Sequence, residues 1–199
     1  MVEVIGETEK RCTSAFKSEG DLIILLGECR DELGGSEYLR VIHKLARGDA
    51  PTLDLRLERA VQDTCLETVQ AGLVNSAHDC SEGGLAVTLA ECCISDKERQ
   101  IGAEVRFPRV RPIRTDALLF GESQSRILIS CHPKDLGRIE TIAQKNRIPF
   151  QVLGKVGGGR LVFTFMEEKL IDIPLHILAG TWENGLLSRV SGREAISEG

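Results

Sequence analysis

The sequence predicts one compact α/β domain in which helices pack on a mixed, partly antiparallel sheet. Three observations lead there. Short apolar runs of strand length interleave with longer segments of helical period, without a regular strand–helix–strand alternation. The last strand-like runs succeed one another across a glycine-rich break, as in a hairpin. The 199 residues are 42% hydrophobic and 28% charged, the balance of a globular chain long enough to bury a core.

Residues 1–18 mix Glu, Lys, Arg and Ser with little periodicity. Gly20 and Asp21 then introduce Leu22 to Leu26, a continuous apolar run ended by Gly27 that reads as a buried strand. Gly34 and Gly35 make a turn, Ser36 stands where a helix cap would, and Leu39, Val41, Ile42 and Leu45 recur at helical spacing. After a break at residues 48–51, Asp54 opens what the spacing predicts as the longest helix, with Leu57, Ala60, Val61, Thr64, Cys65, Thr68, Val69 and Leu73 as its stripe and Gly72 near its end. Val74 to His78 reads as a short strand, and Leu85, Val87, Leu89 and Ala90 begin the apolar face of a helix running to Cys93.

Ile101 to Phe107 alternates as a strand does, and Pro108 and Pro112 hold the next stretch in extended or turn geometry. Arg114 to Phe120 is a short helical pattern stopped by Gly121; Arg126 to Cys131 is a strand. Pro133 suits the first turn of a helix over Asp135 to Asn146, with Leu136, Ile139, Ile142 and Ala143 facing inward. Phe150 to Val156 and Leu161 to Phe165 are predicted strands joined in a hairpin by Gly157, Gly158 and Gly159. Met166 to Ile173 adds a strand, Pro174 to Leu187 a closing helix or irregular cover with the only tryptophan, Trp182, and the polar tail from Ser188 is expected to fray.

Three places concentrate groups that a ligand could use. At Ser81, Gly83 and Gly84 a strand gives way to a helix; unpaired N–H groups and the positive end of a helix dipole attract phosphate there, and paired glycines admit it to the backbone. The alternative is a helix capped by Asp79 or Ser81, with the glycines making a tight turn. Gly34, Gly35 and Ser36 offer the same two readings. The third place is Glu122, Ser123, Gln124, Ser125 and Arg126, beside a buried strand, where polar groups are costly unless partnered. They satisfy one another and the neighbouring backbone, or they hold a polar phosphorylated ligand.

Other residues support less chemistry. His78 and Asp79 are strand neighbours pointing to opposite faces, so they form a base and its orienting acid only if the chain bends, and a buried histidine with a backbone partner is the simpler expectation. Cys80 reads as a core thiol. No helix follows the triple glycine, which is therefore a loop, and no HExxH, GxSxG, Walker or Rossmann pattern occurs.

The net charge of −5 offers no basic surplus for nucleic acid. Seven scattered cysteines without a CxxC pair suggest neither a disulfide framework nor zinc and point to a reduced, cytoplasmic setting. No leader pattern opens the chain, and no apolar run approaches the roughly 20 residues that cross a bilayer.

Four collinear motifs carry a family resemblance: Gly20 and Asp21 with Leu25 to Gly27, Asp31 to Tyr38, His78 to Leu85, and Leu119 to Arg126. Together they resemble the C-terminal domain of phosphoribosylformylglycinamidine synthase, over about residues 10–187, with residues 1–9 and 188–199 as frayed ends. The resemblance implies the aminoimidazole ribonucleotide synthetase C-terminal fold, a layered α/β/α domain of α+β type. It implies a part in purine biosynthesis, in which formylglycinamide ribonucleotide, ATP and glutamine-derived ammonia give formylglycinamidine ribonucleotide, ADP and phosphate. ATP and magnesium belong to the full enzyme. Its nucleotide- and magnesium-binding carboxylates and its catalytic histidine sit in N-terminal domains, so this chain is expected to be inactive alone and to carry no catalytic or metal-ligating residue. Expected partners are those domains and a glutaminase subunit or domain, and a homodimer is compatible. The His-Asp-x-Ser-x-Gly-Gly pattern matches the second of the family's two pseudo-symmetric halves. Glu122, Ser123 and Gln124 are then counterparts of a triplet that contacts substrate in the first half. The same four motifs also leave open a non-catalytic role packing against the active half. Residues Glu122 to Arg126 argue against other superfamily members, such as selenophosphate synthetase, thiamine monophosphate kinase or a hydrogenase maturation protein.

Overall fold

The structure, a computed structural model, describes residues 11–107 and 112–190. In chain order the elements are β1 (Leu22–Leu26), α1 (Glu37–Val41), α2 (Leu55–Gln70), β2 (Ser76–Asp79), α3 (Gly84–Ile94), β3 (Ala103–Phe107), α4 (Thr115–Phe120), β4 (Ile127–Cys131), α5 (Leu136–Lys145), β5 (Phe150–Val156), β6 (Arg160–Phe165), β7 (Glu168–Pro174) and α6 (Leu175–Val190). The strands form one mixed sheet in the order β2-β4-β1-β5-β3-β6-β7. All neighbours run antiparallel except β3 and β6, so the expected mixed α+β architecture is the observed one.

Burial explains the sequence pattern of each strand. β1 sits inside the sheet with helices on both sides, and Ile23 to Leu26 are all fully buried, which is why the run is continuous and does not alternate. Ile23 and Leu25 join a core with Leu85 and Leu89 of α3, Leu118 of α4 and Leu175 of α6. Ile24 and Leu26 face the opposite core, with Val61 of α2 and Ile139 and Ala143 of α5. β3 alternates instead: Ala103, Val105 and Phe107 are buried, Glu104 and Arg106 exposed. Among the described residues no helix covers that second face, so the domain has three layers over β2-β4-β1 and two over β3-β6-β7.

Several expectations need correction. β5 and β6 are not a hairpin: β3 lies between them, antiparallel to β5 and parallel to β6. The triple-glycine turn steps around the start of β3, where Gly157 N–H donates to the Gly102 carbonyl (2.7 Å) and Gly102 N–H to the Gly158 carbonyl (2.7 Å). The true hairpin is β6–β7, turning at Met166 in the left-handed region (φ 57°). α1 is a five-residue helix that stops before Ile42 and Leu45, both exposed. α2 starts at its Asp54 cap as predicted but ends at Gln70, short of Gly72 and Leu73, and α6 is equally long at 16 residues and continues to Val190, so Ser188 belongs to the helix. Pro133 opens a short 3-10 turn that leads into α5. Pro108 and the segments 1–9 and 191–199 lie outside the described residues.

Candidate functional site

The two glycine-opened helix starts meet on one carboxylate. Glu122 Oε1 accepts the Glu37 N–H at the first turn of α1 (2.8 Å) and the Gly83 N–H at the cap of α3 (2.9 Å). Both donors are helix-start amides of the kind that lack an intrahelical partner, and the carboxylate lies at the positive ends of both helices. Ser36 caps α1 as its residue type predicts, accepting the Leu39 N–H (3.3 Å) and donating to the Leu33 carbonyl (2.7 Å). The cap of α3 is neither Asp79 nor Ser81 but Gly83, at φ 78°, with no side-chain cap of its own.

The glycines are used for close packing. A Cβ on Gly84 would stand 2.5 Å from the Gly121 carbonyl oxygen and 2.9 Å from the Phe120 carbonyl carbon, so α3 approaches the end of α4 backbone to backbone. Gly84 N–H donates to the Ser81 carbonyl at 3.1 Å. A Cβ on Gly34 would stand 2.0 Å from the Asp49 carbonyl oxygen, and Gly35 N–H donates to the Arg47 carbonyl. Tyr38 of α1 stacks on Phe120 of α4 with ring centroids 4.8 Å apart, a second tie between the same elements.

Residues 121–126 form a loop wound around its own arginine. Arg126 is buried, and its guanidinium donates to the Ser123 carbonyl (2.8 Å), the Gly121 carbonyl (2.7 Å) and the Cys29 sulfur (3.3 Å). Ser125 occupies the left-handed region at φ 62°. Gln124 is exposed, and its Nε2 donates to the Glu122 carbonyl at 3.2 Å. Ser123 Oγ and Glu32 Oε2 are buried without a hydrogen bond of ordinary geometry. Burial raises the Glu32 carboxyl, but the Thr52 N–H, with the Ser123 hydroxyl adding to it, brings the net shift downward.

Beside this junction a cleft of about 440 Å³ is lined by Glu58 and Gln62 of α2, Asp79, Ser81, Glu122 and Gln124, with Cys80 and Arg126 at its base. His78 Nε2 lies 2.9 Å from Glu91 Oε2 of α3, a side-chain partner in place of the expected backbone one, and its Nδ1 is 3.4 Å from Asp79 Oδ1. The Ser81 hydroxyl donates to Asp79 and holds that carboxyl below its ordinary value. Burial pushes the Cys80 thiol up to about 11, in keeping with a core role. None of the seven cysteines is joined in a disulfide.

All three sequence-predicted groups are thus brought together around one junction, but in different capacities. Gly34, Gly35, Gly83 and Gly84 shape the backbone, Ser36 caps, Glu122 and Arg126 brace, and Ser81 and Gln124 face the cleft. Four carboxylates, from Glu58, Asp79, Glu82 and Glu122, also line it and oppose an anion on electrostatic grounds. Sequence reasoning missed Glu58, Gln62 and Glu91. Glu58 and Gln62 are spaced i, i+4 on the polar face of a helix already read as amphipathic, whereas nothing local joins Glu91 to His78.

Residues 18–166 match the family model described as AIR synthase related protein, C-terminal domain. The phosphoribosylformylglycinamidine synthase subunit PurL of Anaeromyxobacter sp. (strain Fw109-5) is 44% identical over 207 residues, covering 99% of this chain and 26% of its own. The subunit of the same name from Symbiobacterium thermophilum is 43% identical over 187 residues, 88% of this chain and 24% of its own. The chain therefore spans about a quarter of the length of the curated relatives it matches. T. maritima PurL complexed with ATP shares the fold at a TM-score of 0.67 and 22% identity over 86% of this chain and 28% of that one. E. coli HypE, a hydrogenase maturation protein, shares it at 0.58 and 14% identity, over 82% of this chain and 52% of its own.

Proposed function

Because the chain belongs to the AIR synthase related protein C-terminal domain family, we propose that it is a domain, over about residues 10–187, of a cytoplasmic phosphoribosylformylglycinamidine synthase. The observation that carries this reading is 44% identity to a PurL subunit over 99% of the chain. The full enzyme would use ATP to convert formylglycinamide ribonucleotide to formylglycinamidine ribonucleotide: phosphoryl transfer activates the amide oxygen and ammonia displaces it. This domain would supply a rigid cleft wall from which Ser81 and Gln124 meet the ligand, a contribution of positioning and electrostatics.

ATP and magnesium are assigned to the parts of the synthase that lie, in the matched relatives, outside the segment this chain spans. Among the described residues no group of three or more His, Cys, Asp or Glu side chains is arranged to hold a metal ion. A glutaminase subunit or domain that supplies the ammonia is part of the same proposal. For the two helix starts themselves the packing reading is favoured, since the Gly83 and Gly84 amides are both engaged within the chain.

The test is a chimera of the Symbiobacterium thermophilum subunit in which its matching segment is replaced by this chain, expressed in a bacterium lacking the synthase subunit. Growth without added purine is the expected result. A chimera that accumulates as folded protein yet restores neither growth nor substrate-dependent ADP release sinks the assignment.

A further inference from the structure

We propose that Glu122 is a positioning residue whose carboxylate serves as the bound anion where α1 and α3 begin, and which thereby sets Ser81 and Gln124 at the mouth of the cleft. One oxygen accepts two amides that are 85 and 39 residues away in the chain, at 2.8 and 2.9 Å. Hydrogen bonds to an ionised acceptor are the strong kind, and these two fasten three separate segments at a point. Ser81 lies two residues before Gly83, and Gln124 two residues after Glu122 with its amide on the Glu122 carbonyl. Arg126 grips the far side of the same loop through the Gly121 and Ser123 carbonyls, so the loop is fixed from both ends. A phosphate cannot take the Gly83 and Glu37 amides while the carboxylate holds them, because each N–H is a single donor already in use.

The kinetic half of the test rests on the synthase reading; the stability half does not. In the chimera, E122A is expected to lower kcat about tenfold or more, the loss of one to two charge-assisted bonds, with KM for formylglycinamide ribonucleotide and for ATP within about twofold. In the 199-residue chain the same substitution is expected to lower the melting temperature, and formate, a carboxylate small enough for the vacated space, to restore part of it. E122Q keeps a carbonyl oxygen for both amides but loses the charge, and is expected to lie between the parent and E122A in both measurements. If E122A does not fold, refolding with formate and the behaviour of E122Q decide the matter. A rise in KM at unchanged kcat would make Glu122 a ligand contact and overturn the proposal, as would a melting temperature indifferent to E122A or an E122Q variant as damaged as E122A. An inactive parent chimera would remove the synthase reading while leaving the melting and formate measurements to decide this one.

Discussion

At the scale of single residues, Gly84 is an exacting position within the junction. Its φ of 66° and the backbone 2.5 Å from where a Cβ would stand leave nothing that can move aside. Gly84→Ala should therefore cost about 2–5 kcal/mol, combining about 1–2 for the left-handed backbone with about 1–3 for overpacking, read from urea denaturation. Gly137, with open space around a Cβ, is the control and should be neutral or stabilising. Acid sensitivity arises from carboxyls held low. Asp54 sits below 3.8 because it accepts the Leu57 and Arg56 N–H groups, Asp79 because Ser81 donates to it, and Asp116 because Arg114 does. Carboxyls depressed by folding contribute stability that is complete above their unfolded values and lost as pH falls through the folded ones. The melting temperature should be insensitive to these groups near neutrality and decline below about pH 4. Cys80 and Cys131, pushed up to about 11 and about 12 by burial, should resist iodoacetamide at pH 8 in the folded chain and react on unfolding; rapid labelling of native Cys80 would contradict its place in the core.

Among the elements, the turn at residues 157–159 shows where sequence reading ran out and why. Glycines between two apolar runs specify a reversal of direction, which the structure has, but a turn is silent about whether a third strand enters the gap. β3 enters it, admitted by Gly102, where a Cβ would stand 2.3 Å from the Arg160 carbonyl oxygen. Gly102→Val should consequently loosen β5, β3 and β6 together, seen as joint loss of amide protection across all three, and loss confined to the turn would argue against this topology. The strands themselves and the caps Ser36 and Asp54 were legible because each is decided by residues a few positions apart. The cap of α3 was not, because its acceptor is Glu122, 39 residues downstream. The length of α1 was misjudged for the converse reason: Ile42 and Leu45 have helical spacing but no surface to bury against, and spacing without burial does not extend a helix.

Over the whole molecule, burial is uneven, and mutational sensitivity should track it. Ile129, in the three-layered part and fully buried, should lose about 2–5 kcal/mol on replacement by alanine, whereas Val162, half-buried in the two-layered part, should lose clearly less. The motifs at residues 34–36, 81–84 and 122–126 were visible in the sequence as polar or glycine-rich interruptions; that they form one junction is a property of the fold, created where α1, α3 and α4 begin or end side by side. That convergence on one carboxylate is tested most directly by hydrogen exchange at the Glu37 and Gly83 amides, measured in the parent chain and in E122A. Both amides should be protected in the parent and lose protection together in the variant. If either keeps its protection when the carboxylate is gone, the two helix starts are held independently and Glu122 does not join them.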